Sequence, residues 1–404
     1  MKDIVIIGGG AAGLLAALYT KNQNSKVTIL ERNAFCGKKI LSTGNGKCNY
    51  WNDDQDLIHY HSTTPELIKH IITKQNQEEI LNFFSKLGIY PKIKNGYYYP
   101  FSNQATTIKN ELELEIKKRN IEVKTNFLVE KIKKQNNKFE IYSSNEKLLA
   151  DKVIIATGSK AAPKTGSDGI GYELLKSLGH SVINPLPALV QLKTTGTHLK
   201  EWAGIRTDVI VSLYEDNKFI KSETGEIQLT DYGISGICVF NLSHIISRGL
   251  ENNKEEIVKI NFLPFILDNP ITWFDTYIEN LSNKPLKEIL EGILNNKLVT
   301  IILKQLNITD SIMWNELTQL EKEQLLDKLT NFEVKVLETK SFENAQVCTG
   351  GIPLTEINTQ TMESKIIKNL YIIGELLDVD GDCGGYNLSF AWISGMLAGC
   401  DTND

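Results

Sequence analysis

The stretch Asp3-Ile4-Val5-Ile6-Ile7-Gly8-Gly9-Gly10-Ala11-Ala12-Gly13 decides how the chain begins to fold. Its apolar run up to Ile7 is rich in β-branched residues and predicts a buried strand. The helix-forming residues Leu14–Tyr19 predict a helix directly after the glycines. A second apolar run at Lys26–Glu31 predicts another strand. Together these segments predict a strand–helix–strand unit of roughly 30 residues.

The spacing of the glycines indicates a bound dinucleotide. Gly8 allows the tight turn that leaves the strand, Gly10 lets the backbone approach a pyrophosphate, and Gly13 lets the helix pack closely on the strand. The start of the helix then faces the phosphates. Glu31 ends the second strand, where a carboxylate accepts hydrogen bonds from the adenosine ribose.

Two further strand ends favour FAD over NAD. Ala156-Thr157-Gly158 closes one late strand and Gly374-Glu375 closes another. Flavoproteins with two dinucleotide-binding halves place such strand ends near the cofactor, and we expect the second to hold the ribityl chain. No second GxGxxG is present, and the glycine-rich segment Gly166–Gly171 lacks a preceding strand. We therefore predict a loop there, with a nicotinamide site as the alternative.

Composition limits the classes of protein to consider. The chain has 404 residues, which suggests about two or three domains. Its 44 Lys and Arg residues against 49 Asp and Glu residues give a formal net charge of -5. That balance argues against broad electrostatic binding to nucleic acid or an anionic membrane, while a local basic patch stays open. We find no targeting segment and no apolar run of about 18 residues, so no membrane span is expected.

The six cysteines are scattered and form no CxxC pair, and the six histidines show no metal-ligand spacing. Reduced thiols of this kind are typical of a cytoplasmic protein. We therefore expect a cytoplasmic protein with no metal site and no thiol–disulfide reductase activity.

Several long motifs carry a family resemblance. One covers Gly37–Asn49, and another runs from Pro163 to Tyr172. The strongest joins three segments, Thr361–Lys365, Gly374–Gly381 and Gly384–Leu388. On these motifs the chain resembles, over nearly its whole length, the BaiN/YhiN-like flavoproteins, a family often labelled aminoacetone-oxidase-like. The resemblance implies an FAD-dependent oxidoreductase.

The same resemblance implies the domain organisation. It is an α/β fold in which a glutathione-reductase-like FAD-binding Rossmann domain carries an inserted β-barrel-like domain and a helical domain. The sequence pattern agrees, because two α/β ends bracket a β-rich and then a helical centre. We expect the FAD-binding domain at residues 1–190 and 345–404, the β-rich domain at 191–255 and 331–344, and the helical domain at 256–330.

The strand ends and the resemblance together assign residues to the cofactor. The Gly44–Asn49 segment approaches the isoalloxazine, Val129 contacts adenine through its backbone, and the helix starting near Gly385 directs its N–H groups at the flavin. The expected cofactor-binding residues are Gly8, Gly10, Ala12, Gly13, Glu31, Arg32, Lys38, Lys39, Gly44, Gly46, Lys47, Cys48, Asn49, Val129, Ala156, Thr157, Gly158, Gly374, Glu375, Asp378, Gly385, Tyr386, Asn387 and Leu388.

The candidate catalytic residues are Asn45, Cys48 and Tyr386, which the family motifs bring to the flavin. A reactive Cys48 needs a depressed pKa, which the neighbouring Lys47 favours, and simple packing is the alternative. The chain departs from the family pattern at Lys47, where Arg is frequent, and at Asp231, where His is frequent. Asp231 puts in doubt any reaction that needs an imidazole at that position.

The predicted function is hydride transfer through flavin N5 to or from a small-molecule substrate, with NADH or NADPH as the transient reductant. Three alternatives stay open: reduction of a uridine in ribosomal RNA, amine oxidation by O2, and a flavin redox sensor without turnover. The sequence predicts neither the substrate nor the oligomeric state.

Overall fold

A computed structural model describes residues 1–266, 269–279, 281 and 283–402. The strands are β1 (Lys2–Ile7), β2 (Ser25–Leu30), β3 (Trp51–Asn52), β4 (Tyr60–His61), β5 (Pro91–Lys94), β6 (Tyr97–Pro100), β7 (Glu122–Lys124), β8 (Lys131–Gln135), β9 (Lys138–Tyr142), β10 (Lys147–Ala150), β11 (Lys152–Ile155), β12 (Ile183–Ala188), β13 (Leu192–Thr194), β14 (Arg206–Glu215), β15 (Lys218–Thr230), β16 (Gly233–Gly236), β17 (Glu256–Asn261), β18 (Phe332–Thr339), β19 (Val347–Gly351), β20 (Leu370–Ile372) and β21 (Asp380–Gly381). The helices are α1 (Ala11–Thr20), α2 (Lys74–Lys86), α3 (Ala105–Lys118), α4 (Ile170–Ser177), α5 (Leu199–Trp202), α6 (Ile237–Glu251), α7 (Pro270–Ile278), α8 (Leu286–Glu291), α9 (Asn296–Gln305), α10 (Gln319–Thr330) and α11 (Tyr386–Thr402).

The chain divides into two compact units. The sheet unit contains Met1–Leu186 and the segment from Ala345 onward, and the barrel unit contains Pro187–Asn344. The finer division of the centre into a β-rich and a helical domain stays a prediction. Residues 267, 268, 280 and 282 of the predicted helical domain, and 403 and 404 of the predicted FAD-binding domain, lie outside the described residues.

A parallel sheet forms the centre of the sheet unit. Its strand order is β20-β11-β1-β2-β7, so the first strand of the chain lies in the middle. Residues 4–7 of β1 are all buried, as expected for a strand covered on both faces. The α/β class predicted from the sequence is confirmed.

The first and last helices of the sheet unit pack closely against each other. A Cβ added to Gly395 of α11 would lie 2.5 Å from the backbone oxygen of Ala12 in α1. One turn later, a Cβ on Gly399 would lie 2.7 Å from the oxygen of Ala16. Glycine at these positions lets the two backbones approach, and this fixes α11 relative to the start of α1.

Six strands of the barrel unit close into a barrel in the order β13-β16-β15-β14-β17-β18. Alternate residues of β14 point into the core, namely Val209, Val211 and Leu213, each fully buried. The fifth strand in this order, β17, begins at Glu256, a residue that the sequence analysis gave to the helical domain. Helices α7 to α10 follow between β17 and β18 and share one apolar core with the barrel.

None of the helices in the described residues is long and apolar enough to cross a membrane.

Candidate active site

The carboxyl edge of the parallel sheet brings together segments that are far apart in sequence. Gly8 follows β1, Glu31 follows β2, the segment Ala156–Gly158 follows β11, and Gly374 comes shortly after β20. Because these strands are parallel, all four segments meet at one edge. This edge is the site that open α/β sheets offer to a ligand.

Close backbone contacts require glycine at two positions of the first motif, Gly8 and Gly13. At the third position, Gly10, the backbone faces open space. A Cβ on Gly8, whose φ is +106°, would lie 2.3 Å from the oxygen of Ala156. A Cβ on Gly13 would lie 2.0 Å from the oxygen of Gly8. A Cβ on Gly10 would meet nothing within 4 Å. The start of α1 therefore has an open face beside Gly10, and no side chain caps it, which is the arrangement that binds a phosphate. Ala12, in the first turn of α1, is buried behind this face.

Glu31 joins the end of β2 to the glycine turn. Its Oε2 accepts a hydrogen bond of 2.8 Å from the backbone N–H of Gly9. Its Oε1 accepts two hydrogen bonds of 2.7 Å from the backbone and side chain of Asn33. The carboxylate is buried and fixed, and Oε2, which accepts a single hydrogen bond, has acceptor capacity left for a ribose hydroxyl. Val129 is also buried, in the connection between β7 and β8.

Charged side chains pair around the same edge. Lys39 Nζ lies 2.7 Å from Glu375 Oε2, and the Ser159 hydroxyl donates to the same oxygen over 3.1 Å. Arg32 forms an ion pair of 2.5 Å with Asp168. Lys39 and Arg32, the cations of these two pairs, belong to the predicted cofactor-binding residues. The partly buried Lys38 belongs to the same set.

The segment from Gly44 to Lys47 is an exposed turn. Gly44 and Asn45 have φ values of +55° and +52°, and Gly46 has +81°. The turn closes where the N–H of Cys48 donates to the oxygen of Thr43 over 3.0 Å. Asn45 and Lys47 are therefore presented outward, and Cys48 points inward.

The environment of Cys48 argues against its predicted catalytic role. The residue is 0% exposed, and burial raises the pKa of its thiol to about 12. A thiolate is the reactive form of cysteine, and it is absent at neutral pH under these conditions. The next residue, Asn49, is half-buried, and its side-chain Oδ1 forms no hydrogen bond within the described residues.

The start of α11 is held by short contacts on both sides. A Cβ on Gly384 would lie 2.7 Å from the ring of Tyr97, and one on Gly385 would lie 3.0 Å from the backbone of Trp51. The ring of Tyr386 stacks on His59, with centroids 4.5 Å apart and an interplanar angle of 19°. Burial raises the pKa of Tyr386, so its phenol stays protonated.

Three predicted residues near α11 have structural contacts of their own. The side chain of Asn387 accepts from the N–H of Gly381 over 2.9 Å and donates to its oxygen over 2.8 Å. Asp378 Oδ2 accepts from the backbone N–H and hydroxyl of Thr63 over 2.8 and 2.6 Å. Leu388 packs against the apolar core. The sequence analysis assigned all three to the cofactor, and that assignment stays a prediction.

The sequence analysis missed a group of histidines and carboxylates beside α11. His59 and His61 lie near Asp380 and Asp382, which strands β4 and β21 bring together. The histidines show no ligand spacing of their own, so no local pattern marks them. The available signal was the alternation Asp378-x-Asp380-x-Asp382 directly after the Gly374 motif, because alternate residues of an extended segment face the same side.

Features of this edge fit a bound dinucleotide such as FAD. The face beside Gly10 is open to a pyrophosphate. The buried Thr157 Oγ1 and Asn49 Oδ1 have no hydrogen-bond partner within the described residues, although buried polar atoms normally have one. Polar groups of a ligand would satisfy both atoms.

Comparison with known proteins agrees with this architecture. Residues 2–401 match the family described as HI0933-like protein Rossmann domain. The chain is 39% identical over 402 residues to the 3-dehydro-bile acid delta(4,6)-reductase of Clostridium scindens, covering 99% of this chain and 98% of that protein. It is 28% identical over 400 residues to the ribosomal RNA dihydrouridine synthase of Haemophilus influenzae, covering 97% and 96%.

Among solved structures, a flavocytochrome c3 fumarate reductase in its open conformation is similar in fold. The TM-score is 0.50 at 14% identity, over 100% of this chain and 78% of that one. At this identity the likeness concerns the fold alone.

Proposed function

We propose a function from one premise: the chain belongs to the HI0933-like Rossmann family. The protein is an FAD-dependent reductase that reduces a carbon–carbon double bond conjugated to a carbonyl group in a small molecule, with NADH or NADPH as the source of electrons.

The observation that carries this proposal is the full-length similarity to a bile acid delta(4,6)-reductase at 39% identity. The more distant relative is named for making dihydrouridine. Both names denote reduction of a carbon–carbon double bond in a conjugated carbonyl compound. The shared chemistry supports the reaction class, and the higher identity favours a small-molecule substrate.

The residues at the sheet edge have roles that suit this reaction. FAD, when bound, supplies hydride chemistry. The open N-terminus of α1 beside Gly10 and the cation of Lys39 would hold its phosphates, and Glu31 would accept from its ribose. The N-terminus of α11 would orient the flavin, because backbone N–H groups and the helix dipole stabilise negative charge there.

The test begins with reconstitution of the purified protein with FAD and measurement of the flavin spectrum. The reconstituted protein is then mixed anaerobically with NADH or NADPH in a stopped-flow instrument, and bleaching of the flavin is recorded. We expect bleaching by one of the two, followed by reoxidation on addition of a steroid 4,6-dien-3-one. Protein that gains no flavin spectrum would overturn the FAD assignment. Binding without bleaching would overturn the nicotinamide link and direct the search to amines as electron donors.

A second candidate function is reduction of uridine in ribosomal RNA, favoured by the full-length similarity to the dihydrouridine synthase. The net charge of -5 confines any RNA contact to a local surface. Reoxidation of the reduced protein by unmodified ribosomal RNA, with no reoxidation by the dienone, would support this candidate in place of the first.

A further inference from the structure

A chain of hydrogen bonds runs through four side chains of the sheet unit. Asp54 Oδ2 lies 3.2 Å from His59 Nε2, and His59 Nδ1 lies 3.0 Å from Asp382 Oδ2. The other oxygen of Asp382 lies 2.9 Å from His61 Nε2. The side chain of Asp54 is 63% exposed and that of Asp382 only 7%. The hydrogen bonds therefore join an exposed carboxylate, Asp54, to a buried one, Asp382.

His59 has the charge environment of a proton carrier. Burial alone would lower the pKa of His59, but hydrogen bonds and charge from Asp382 and Asp54 outweigh it and raise the pKa. Tyr386 stacks against this ring, and its phenol stays neutral because burial raises its pKa. His59 consequently keeps a proton at a pH where an ordinary histidine has lost it.

Asp380 lies at the inner end of this chain. It pairs with His61 across β21 and β4, and a ring nitrogen of His61 lies within 4.8 Å of a carboxylate oxygen of Asp380, without a direct hydrogen bond between them. It is 2% exposed, and both carboxylate oxygens are shielded from solvent. Burial, with the charges of Asp378 and Asp382, raises the pKa of Asp380 to about 7, while His61 and Thr349 act in the opposite direction. A buried carboxyl with this pKa can both release and take up a proton near neutral pH.

The segment that carries Asp380 is also joined to the start of α11. Asn387 holds the backbone of Gly381, the neighbour of Asp380, by two hydrogen bonds. Tyr386, the first residue of α11, stacks on His59. The hydrogen-bonded chain is thus fixed to the element that we expect to orient the flavin.

We propose that Asp54, His59, Asp382 and His61 form a proton path to Asp380, and that this path supplies the proton that completes the reduction. The inference rests on the proposed function. When a conjugated double bond is reduced, a hydride with its electron pair, carried by FAD reduced by NAD(P)H, bonds to the β-carbon. The π electron pair shifts to the α-carbon, and a proton forms the second new C–H bond there. The carboxyl of Asp380 loses that proton and regains one across the short gap to the hydrogen-bonded chain of His61, Asp382, His59 and Asp54.

The experiment compares two variants of the path, Asp382→Asn and His59→Gln, with a control outside it. His70 is exposed and lies on the segment Pro65–His70, so His70→Gln is the control. Each FAD-loaded protein is reduced with dithionite and mixed with a steroid 4,6-dien-3-one at several pH values. We expect both path variants to lose at least about tenfold in the rate of substrate reduction at pH 8, with the control unchanged. The loss should exceed any change in the rate of flavin bleaching by the nicotinamide.

A second measurement does not depend on turnover. The titration of the His59 imidazole is followed by NMR in the wild type and in Asp382→Asn. We expect the pKa to fall in the variant, because one of the two carboxylates that favour the imidazolium is lost.

The outcomes separate the two proposals. A wild type that binds and reduces FAD but never reduces the dienone contradicts the proposed substrate class, and the path is then judged by the titration. Path variants that match the wild type in substrate reduction at every pH overturn the path and leave the proposed function intact. An unchanged His59 titration in Asp382→Asn overturns the path as well.

Discussion

Lys39 and Glu375 form an ion pair of 2.7 Å although 336 residues separate them in the sequence. Their side chains are 24% and 21% exposed, so the pair is only partly open to solvent. It joins the loop after β2 to the turn after β20 across the carboxyl edge of the sheet. This ion pair therefore connects the two ends of the predicted cofactor site.

Replacement of Lys39 by Met should weaken FAD binding. The variant removes a cation from the expected phosphate position and leaves the Glu375 carboxylate unneutralised beside it. A charge-assisted hydrogen bond contributes about 1.5–3 kcal/mol, so we expect a loss of affinity of at least roughly tenfold. The affinity is measured by titration with FAD, with quenching of the flavin fluorescence as the signal. Lys38→Met is the matched control with a smaller expected effect, and equal affinities of the Lys39 variant and the wild type would refute the role of Lys39.

Two alanine substitutions in the glycine turn should separate binding from folding. Gly10→Ala adds a Cβ into open space, at a residue whose φ of -79° alanine adopts without strain. The stability of the FAD-free protein should change by no more than about 0.5 kcal/mol, while FAD affinity falls because the methyl group occupies the approach of the pyrophosphate.

Gly13→Ala should behave in the opposite way. Its Cβ would lie 2.0 Å from the oxygen of Gly8, so α1 must move away from the turn. We expect the FAD-free protein to lose about 1–3 kcal/mol of unfolding free energy, measured by urea denaturation. If Gly10→Ala instead bound FAD like the wild type, the pyrophosphate would not lie beside Gly10.

Cys48 should be unreactive. With a thiol pKa of about 12, almost no thiolate is present at pH 8. One equivalent of iodoacetamide should label the exposed Cys400 and leave the buried Cys48 unmodified, as peptide mass spectrometry would show. Cys48→Ala should keep both FAD binding and turnover. Loss of turnover with normal FAD binding would restore the catalytic role that the sequence motif suggests.

Glu256 should make the stability of the protein fall with rising pH. Both its oxygens are buried without a hydrogen-bond partner in the described residues, and Glu215 lies opposite on β14. Burial and the charge of Glu215 raise the pKa of Glu256 to about 8, against 4.5 for an ordinary glutamate. The folded protein then holds one proton more than the unfolded chain between these values. This contribution is complete below pH 4.5 and is lost as the pH rises through about 8, by up to about 1.4 kcal/mol per pH unit.

Glu256→Gln should remove that dependence, because the amide cannot ionise. Urea denaturation at about pH 5.5, 7 and 8.5 covers the range of the titration. It should show the variant gaining stability relative to the wild type as the pH increases. Glu255→Gln is the control, since Glu255 is only partly buried and pairs with Lys335. A constant difference between Glu256→Gln and wild type across this range would contradict the raised pKa.

Local sequence patterns were sufficient for the parallel sheet and its glycine turn. Strands β1 and β20 contain short apolar runs, and a glycine follows each within two residues, so strand and turn can be predicted there without knowledge of distant contacts. The α/β class followed from the strand–helix–strand pattern and the family resemblance together, and the resemblance alone implied a barrel-like inserted domain, which the structure shows as a closed six-stranded barrel. Apolar residues recur over Val123–Val129, yet the strand β7 stops at Lys124, because Asn126 has a φ of +54° and turns the backbone away.

The histidine–aspartate chain could not be predicted in the same way. His59 and Asp382 lie 323 residues apart and meet only because β4 pairs with β21. The burial of Cys48 was equally inaccessible, since a motif places a residue in a loop but does not fix the direction of its side chain. Both properties depend on tertiary contacts between short segments that have no periodicity of their own.

The position of α11 after the barrel unit in the sequence has a consequence for biosynthesis. Strands β1, β2, β7 and β11 have left the ribosome well before β20, Glu375 and α11, because the whole barrel unit is translated between them. Domains tend to fold as they emerge, so the barrel unit can form while the sheet unit still lacks an edge strand and the helix that covers Ala12 and Ala16. The growing chain therefore exposes that face of α1 until α11 has been translated.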